Sequence, residues 1–294
     1  MPAAPLPLRK RAGYFVSNLL FRGLIGAGLL LPYHWRVPAM GWVVSRVLAP
    51  VAGWRTRVRT NLAHVMPDLP EEEVRRICRA VPDNAGRTLI EIYSGDSFKA
   101  RAVNAPITGP GLAALEEARK TGRPVILVTG HFGNYDAVRA GLIARGHNMG
   151  ALYRAMRNPY FNAHYVRAIS AIGEPMFLQG PKGMKQLVKH LRAGGVLGIL
   201  TDLNNLSGEV IDFFGKPAMT SMITAELALK YDAALIPVYA VRQDNGLDFE
   251  IIAQAPITPT DAKTMTQDVN HQLEALVREN IGQWFWIHRR WKSK

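Results

Sequence analysis

Val125-Ile126-Leu127-Val128-Thr129-Gly130-His131-Phe132-Gly133-Asn134-Tyr135-Asp136 decides the reading of this chain. The run 125–128 is apolar and rich in β-branched residues, and Pro124 and Gly130 bound it, which is the pattern of a buried strand. Asn134 and Asp136 suit the start of a following helix. His131 therefore falls at a strand end, where α/β proteins place their chemistry. An imidazole can take a proton from a hydroxyl near neutral pH, and a carboxylate can fix its tautomer and stabilise the imidazolium. His131 and Asp136 are thus the expected base and carboxylate, able to activate an alcohol without a metal or a covalent intermediate. Spacing alone does not establish the pair. With 8 His and 23 acidic residues, about one His-x4-acid match arises by chance. A His closing a strand and an Asp opening a helix would look the same.

Outward from this block, strand and helix patterns alternate. Strands are expected over 125–129, 149–153, 196–201, 235–241 and 249–252, and helices over 136–145, 159–172, 183–193, 221–231 and 264–280. Upstream, helices are expected over 70–80, 84–95 and 112–120, with a turn at 107–111. The fold class is α/β, a central, mostly parallel sheet flanked by helices. The 294 residues, 48% apolar, suffice for one large core. One domain over 33–294 is expected, preceded over 1–32 by a tail and a hydrophobic membrane anchor.

The net charge of +13 is unevenly spread. Residues 1–67 hold nine Lys or Arg and no acid, and the tail from His288 adds Arg289, Arg290, Lys292 and Lys294. All six Trp lie in these two regions: Trp35, Trp42, Trp54, Trp284, Trp286 and Trp291. Cations interleaved with Trp suit an anionic membrane surface. No zinc-finger, RNP-type or helix-turn-helix pattern points to nucleic acid. Residues 14–31 are apolar but carry Arg22, and no small-x-small cleavage site follows. They are marginal for a span and read as an uncleaved anchor lying in or dipping into one leaflet, with a helix packed on the domain as the alternative. The single Cys78 excludes an intramolecular disulfide and any multi-Cys metal site, and the scattered His suggest no metal site. No cofactor is expected.

Three further segments could carry chemistry. Arg154 and Arg157 follow the second of these strands, where guanidinium groups suit a phosphate; a surface Arg pair is the alternative. Asp202 ends the strand over 196–201 and competes with Asp136 as partner of His131, although Asp is also common where a strand turns. Phe213-Phe214-Gly215 and Thr220 could line an acyl groove or form a buried aromatic corner.

Together these blocks resemble the glycerolipid/lysophospholipid acyltransferase superfamily, in particular its lipid A biosynthesis branch of Kdo-dependent lauroyl and myristoyl transferases. The matching residues are His131-Phe132-Gly133-Asn134-Tyr135-Asp136, then Tyr153-Arg154 with Asn158-Pro159, then Thr201-Asp202. Phe213-Phe214-Gly215 with Pro217-Ala218 and Thr220, the tail from Gln283 to Lys292, and Asn61-Leu62 with Pro67 complete the match. The likeness runs from about residue 14 through nearly the whole chain. It implies transfer of a fatty acyl group from a thioester to a lipid hydroxyl at the cytoplasmic face of a bacterial inner membrane. His131, Asp136 and Asp202 would be catalytic. Asn134, Arg154, Arg157, Phe213, Phe214, Gly215 and Thr220 would bind substrate. Acyl carrier protein, small and acidic, is the expected donor for so basic a protein, with acyl-CoA the alternative. The branch more often has Trp-Glu where Tyr135-Asp136 stands, Pro where Ala155 stands and Gln where Leu203 stands. These departures bear on the acceptor, and a mycobacterial-type relative that acylates a mannosyl lipid shares the framework. A non-catalytic lipid-binding relative and a hydrolase are the other classes; no Gly-x-Ser-x-Gly elbow supports the latter.

Overall fold

In β2 (Val125–Thr129) all five residues are buried, and alternate side chains enter two different cores. Val125 and Leu127 join one cluster with Val138, Ile169 and Phe249, whereas Ile126 and Val128 join another with Leu187, Leu227 and Val269. A strand covered on both faces needs this unbroken apolar run, and each large aliphatic side chain so buried contributes about 1.5–3 kcal/mol.

The computed structural model describes residues 7–292. The chain opens with α1 (Leu8–Leu29) and α2 (Tyr33–Val43), and a π-helical turn (Val44–Leu48) leads into the short α3 (Ala49–Val51). Next come α4 (Trp54–Val65), α5 (Glu71–Ile92), α6 (Asp96–Asn104), β1 (Ile107–Thr108) and α7 (Leu112–Thr121). After β2 follow α8 (Tyr135–Ala144), β3 (Met149–Tyr153), α9 (Pro159–Ile172), β4 (Met176–Leu178), α10 (Pro181–Arg192) and β5 (Val196–Leu200). A hairpin of β6 (Glu209–Phe213) and β7 (Lys216–Thr220) precedes α11 (Ile223–Tyr231), β8 (Ala234–Arg242), β9 (Phe249–Ala253) and α12 (Ala262–Glu279).

The main sheet has the order β1-β9-β8-β2-β5-β3-β4, parallel throughout except where β8 meets β9. Side chains of α6, α7, α8 and α9 pack into one face of the sheet, those of α10, α11 and α12 into the other. The expected α/β architecture is therefore present. The five expected strands match to within a residue or two. The two helices expected over 70–80 and 84–95 are one helix, α5, that runs through Pro82. Its apolar face continues across the proline, from Ile77 and Val81 to Gly86 and Ile90, because it packs on α2 and α4. Gly86 permits that approach: a Cβ there would stand 2.7 Å from Met40 O. Packing thus overrides the local break that Pro favours.

The N-terminal segment is helical, but among the described residues no helix is long and apolar enough to cross a membrane. A span over 14–31 is therefore not supported. Asn18 and Ile25 of α1 are buried, while Val16, Leu19 and Leu20 face outward. The six Trp also divide. Trp35 and Trp42 are exposed, but Trp284 and Trp286 are buried in a cluster with Phe213, Phe214 and Trp291. The C-terminal Trp residues therefore belong to the core and not to a surface belt.

Candidate active site

Parallel pairing of β2 with β5 sets Thr129 opposite Leu200, and the ladder continues with Thr201 N donating to Thr129 O at 3.2 Å. Two residues further on along each strand stand His131 and Asp202, so the sheet itself brings them side by side. His131 Nδ1 lies 2.8 Å from Asp202 Oδ1, and the His131 backbone N–H donates to Asp202 Oδ2 at 2.7 Å. Trp284 Nε1 donates to the same Oδ2 at 2.9 Å. Gly130 leaves room for the carboxylate, since a Cβ there would be 3.2 Å from Asp202 Cγ.

Asp202 is fully enclosed. Burial alone would push its carboxyl up, but the charge of His131, two hydrogen bonds from His131 and one from Trp284 outweigh it and hold the group below the usual carboxylate range. An ionised carboxylate only accepts, so Nδ1 of His131 carries the proton and Nε2 of the neutral ring is free to act as an acceptor. The ring lies between Tyr135 and Phe285, with centroids 5.5 and 5.8 Å away.

Asp136 makes no hydrogen bond to His131, although both line one cavity. Its Oδ1 accepts two hydrogen bonds from Arg139, at 2.7 and 3.0 Å, and Arg139 also donates to Ile169 O and Gly173 O. An i,i+3 spacing at a helix start turns Asp136 along its own helix, so the five-residue offset from His131 does not translate into contact. Asn134 is buried, caps α8 through Asp136 N at 3.0 Å and donates to Glu91 Oε2 at 2.8 Å. It faces the protein, not a cavity.

Two cavities meet at His131. One, of about 210 Å³, has a mainly apolar wall that includes Val81, Leu89, Ile92 and Phe285. The other, about 410 Å³, is lined by apolar residues such as Met149, Ile169 and Met176 and by polar ones such as Arg154, Gln179 and Asn204. Beside the second opens a basic cleft lined by Arg57, Arg154, Arg157, Arg289 and Lys292, with no acidic residue in its wall. Arg154 and Arg157 are exposed and make no hydrogen bond to other described residues. Of the expected Arg pair, Arg154 shares a cavity with His131, whereas Arg157 lines only the adjoining cleft, where cations from α4 and the tail, far away in sequence, join it.

Phe213, Phe214, Gly215 and Thr220 line neither cavity. Phe214 (φ +58) and Gly215 (φ +69) form the tip of the β6–β7 hairpin, the two positive angles of a type I′ turn. The rings of Phe213 and Phe214 pack on Trp284 and Trp291, and Thr220 Oγ1 accepts from the buried Arg290 at 2.5 Å. Phe213 and Phe214 thus pack in the aromatic corner that holds Trp284 behind Asp202, apart from the two cavities at His131.

Sequence reading missed the hydrogen bond from Trp284, which takes shape only when the tail pairs with the loop after β2 through Phe132 and Trp284. It also missed His288, whose Nε2 accepts from Asn204 N at 2.9 Å. Burial, and to a lesser extent neighbouring cations, bring His288 down to about 4 and keep it neutral. The basic tail of alternating aromatics was the available signal.

The chain resembles known proteins over nearly all its length. It is 24% identical over 295 residues to the "Lipid A biosynthesis acyltransferase 2" of Shigella flexneri, covering 92% of this chain and 88% of that protein. It is 23% identical over 262 residues to a "Lipid A biosynthesis acyltransferase" of Haemophilus influenzae, with coverage of 86% and 82%. It is 22% identical over 274 residues to a "Phosphatidylinositol mannoside acyltransferase" of Mycobacterium tuberculosis, with coverage of 86% and 87%. The family profile described as "Bacterial lipid A biosynthesis acyltransferase" matches residues 10–293, so the chain belongs to that family and is a lipid acyltransferase.

Proposed function

We propose that the chain moves a fatty acyl group from an acyl thioester to a hydroxyl of a lipid A precursor, with His131 as general base and Asp202 as the carboxylate that orients it. The observation that carries this reading is the His131–Asp202 contact of 2.8 Å, which leaves Nε2 to the two cavities that His131 lines. Nε2 takes the proton of the acceptor hydroxyl as its oxygen attacks the thioester carbonyl carbon. The carbon–sulfur bond then breaks, and the imidazolium returns the proton to the departing sulfur. Asp202, ionised and buried, stabilises that imidazolium between the two steps. The role first expected of Asp136 passes to Asp202, and Asp136 with Arg139 holds the start of α8.

Two cavities at one imidazole suit two substrates, an acyl chain on apolar walls and a polar head group on the other. Arg154 and Arg157, with Arg57, Arg289 and Lys292, suit a phosphate on the acceptor. The basic surface suits acyl carrier protein as donor, and acyl-CoA would meet the same cations through its phosphates. The outward apolar residues of α1 and the acid-free first 67 residues support a helix lying on an anionic membrane surface, which this reading takes as the cytoplasmic face of the inner membrane. On this reading residues 1–32 attach the protein and 33–294 form the acyltransferase domain. A phosphatidylinositol mannoside is the second acceptor to consider, because the relative of that name is nearly as similar as the lipid A enzymes. The deciding assay incubates purified protein with labelled acyl carrier protein or labelled acyl-CoA and each lipid. Label in lipid A precursor supports the reading, label in the mannoside shifts the acceptor, and free fatty acid alone would make the protein a hydrolase.

A further inference from the structure

Gly133 and Asn134, which follow His131-Phe132, are held by a polar network whose outer members Asn84, Thr88 and Gln283 reach the smaller cavity and whose centre lies behind it. At its centre is a buried ion pair. Arg242, at the end of β8, places Nη1 2.5 Å and Nη2 2.7 Å from the two carboxylate oxygens of Glu91 in α5. Their side chains are 6% and 0% exposed, and neither residue lines either cavity at His131. Glu91 Oε2 also accepts from Asn134 Nδ2 at 2.8 Å. Arg242 Nε donates to Asn84 Oδ1 at 2.9 Å. Asn84 Nδ2 and Thr88 Oγ1 in turn donate to Gly133 O, at 3.1 and 2.9 Å. The Arg242 backbone exchanges two bonds with the Gln283 side chain, both 2.8 Å, and Gln283 O accepts from Gly133 N at 3.1 Å.

Burying two charges costs desolvation that an apolar pair of similar volume avoids, so stability alone does not account for them. A bidentate guanidinium–carboxylate pair fixes direction as well as distance. Here both partners pass that direction on, Glu91 to Asn134 and Arg242 to Asn84, and the two routes meet on adjacent residues of the His131 loop. We infer that Glu91 and Arg242 are positioning residues that set the angle at which His131 presents Nε2 to the cavities. The inference rests on the proposed role of His131 as base. A displacement of that nitrogen by about 1 Å would cost on the order of 100-fold in rate with substrate binding little changed.

The test is the double variant Glu91→Met/Arg242→Met beside both single variants and His131→Ala. Each single variant leaves one buried charge uncompensated and should lower Tm. The double variant should recover most of that Tm, yet show kcat reduced about tenfold or more with both KM values within about twofold of wild type. A double variant with wild-type kcat overturns the inference and leaves the pair a packing element. If His131→Ala itself stays active, the base assignment has failed instead, and the two failures are distinguished. Should the double variant not fold, Asn134→Ser decides the matter, because it keeps an oxygen for the helix cap and withdraws only the bond to Glu91. Reduced kcat at unchanged KM supports the inference, and unchanged kcat overturns it.

Discussion

At the scale of single residues, Asp202 and Asp136 differ in what surrounds them, and the difference predicts opposite phenotypes. Asp202→Asn puts an amide against His131 Nδ1 that can donate to it, which favours the wrong tautomer. Single-turnover acyl transfer should fall about 10²–10⁴-fold, as it should for His131→Ala, with Tm little altered for the latter. Asp136→Asn should instead stay within about tenfold in rate and lose roughly 3 kcal/mol of stability, because Arg139, 3% exposed, would be left buried without its counter-charge. An inactive but fully stable Asp136→Asn would return the catalytic role to Asp136. His288 gives a pH signature. Its value of about 4 in the folded protein lies below the ordinary 6.5. At pH 7 it is mostly neutral in both states and has little effect. As pH falls through 6.5 the unfolded chain takes up a proton that the folded chain refuses, so stability declines down to about pH 4 and this contribution is then constant. His288→Gln should flatten that decline when urea unfolding is compared at pH 7 and pH 5, and an equal loss in both proteins would argue against it.

At the scale of elements, the loop after β2 and the C-terminal tail fold as one unit, with Gly133 at the join. Its φ is +51°, and a Cβ there would lie 1.8 Å from Ala240 O. Gly133→Ala should therefore cost more than about 3 kcal/mol or displace the loop with loss of transfer, whereas Gly215→Ala, also at positive φ but in open space, should cost about 1 kcal/mol and leave transfer intact. Equal Tm losses in the two would show that backbone strain alone matters at position 133. The same elements show what the sequence discloses. The run 125–128 announces its strand because burial on both faces leaves only apolar residues, and His131 follows as a strand-end residue. Asp202 was visible as the end of another strand, but its adjacency to His131 depends on which strands pair. That information lies in the packing of helices between them and not in any local pattern. Phe213 and Phe214 could have lined a groove or a core, and only the fold of the tail against the hairpin decides for the core. Trp284 likewise becomes a donor to Asp202 through a pairing 82 residues distant in sequence.

At the scale of the whole molecule, charge and apolar exposure combine at the N-terminal end. The net charge is +13, and residues 1–67 contribute nine cations and no acid. Long-range attraction of that kind would speed encounter with the acidic carrier protein or anionic bilayer proposed above, and salt would weaken it. The outward face of α1 acts differently. Val16, Leu19 and Leu20 are 55%, 52% and 69% exposed and lie on neighbouring turns of one face. Apolar contact with a bilayer would bury them, at about 25 cal/mol per Å², and salt does not weaken that term. The two contributions can therefore be separated on vesicles containing anionic lipid. Wild-type protein should bind at low salt and remain bound in roughly 1 M salt, where the screening length is about 3 Å. The variant Val16→Ser/Leu19→Ser/Leu20→Ser should bind at low salt, wash off at high salt and keep its Tm, since none of the three belongs to a core cluster. Wild-type protein that washes off completely in salt would mean that α1 does not insert. Membrane contact would then rest on the cations alone, and the helix would serve only to cover α2, α5 and α9.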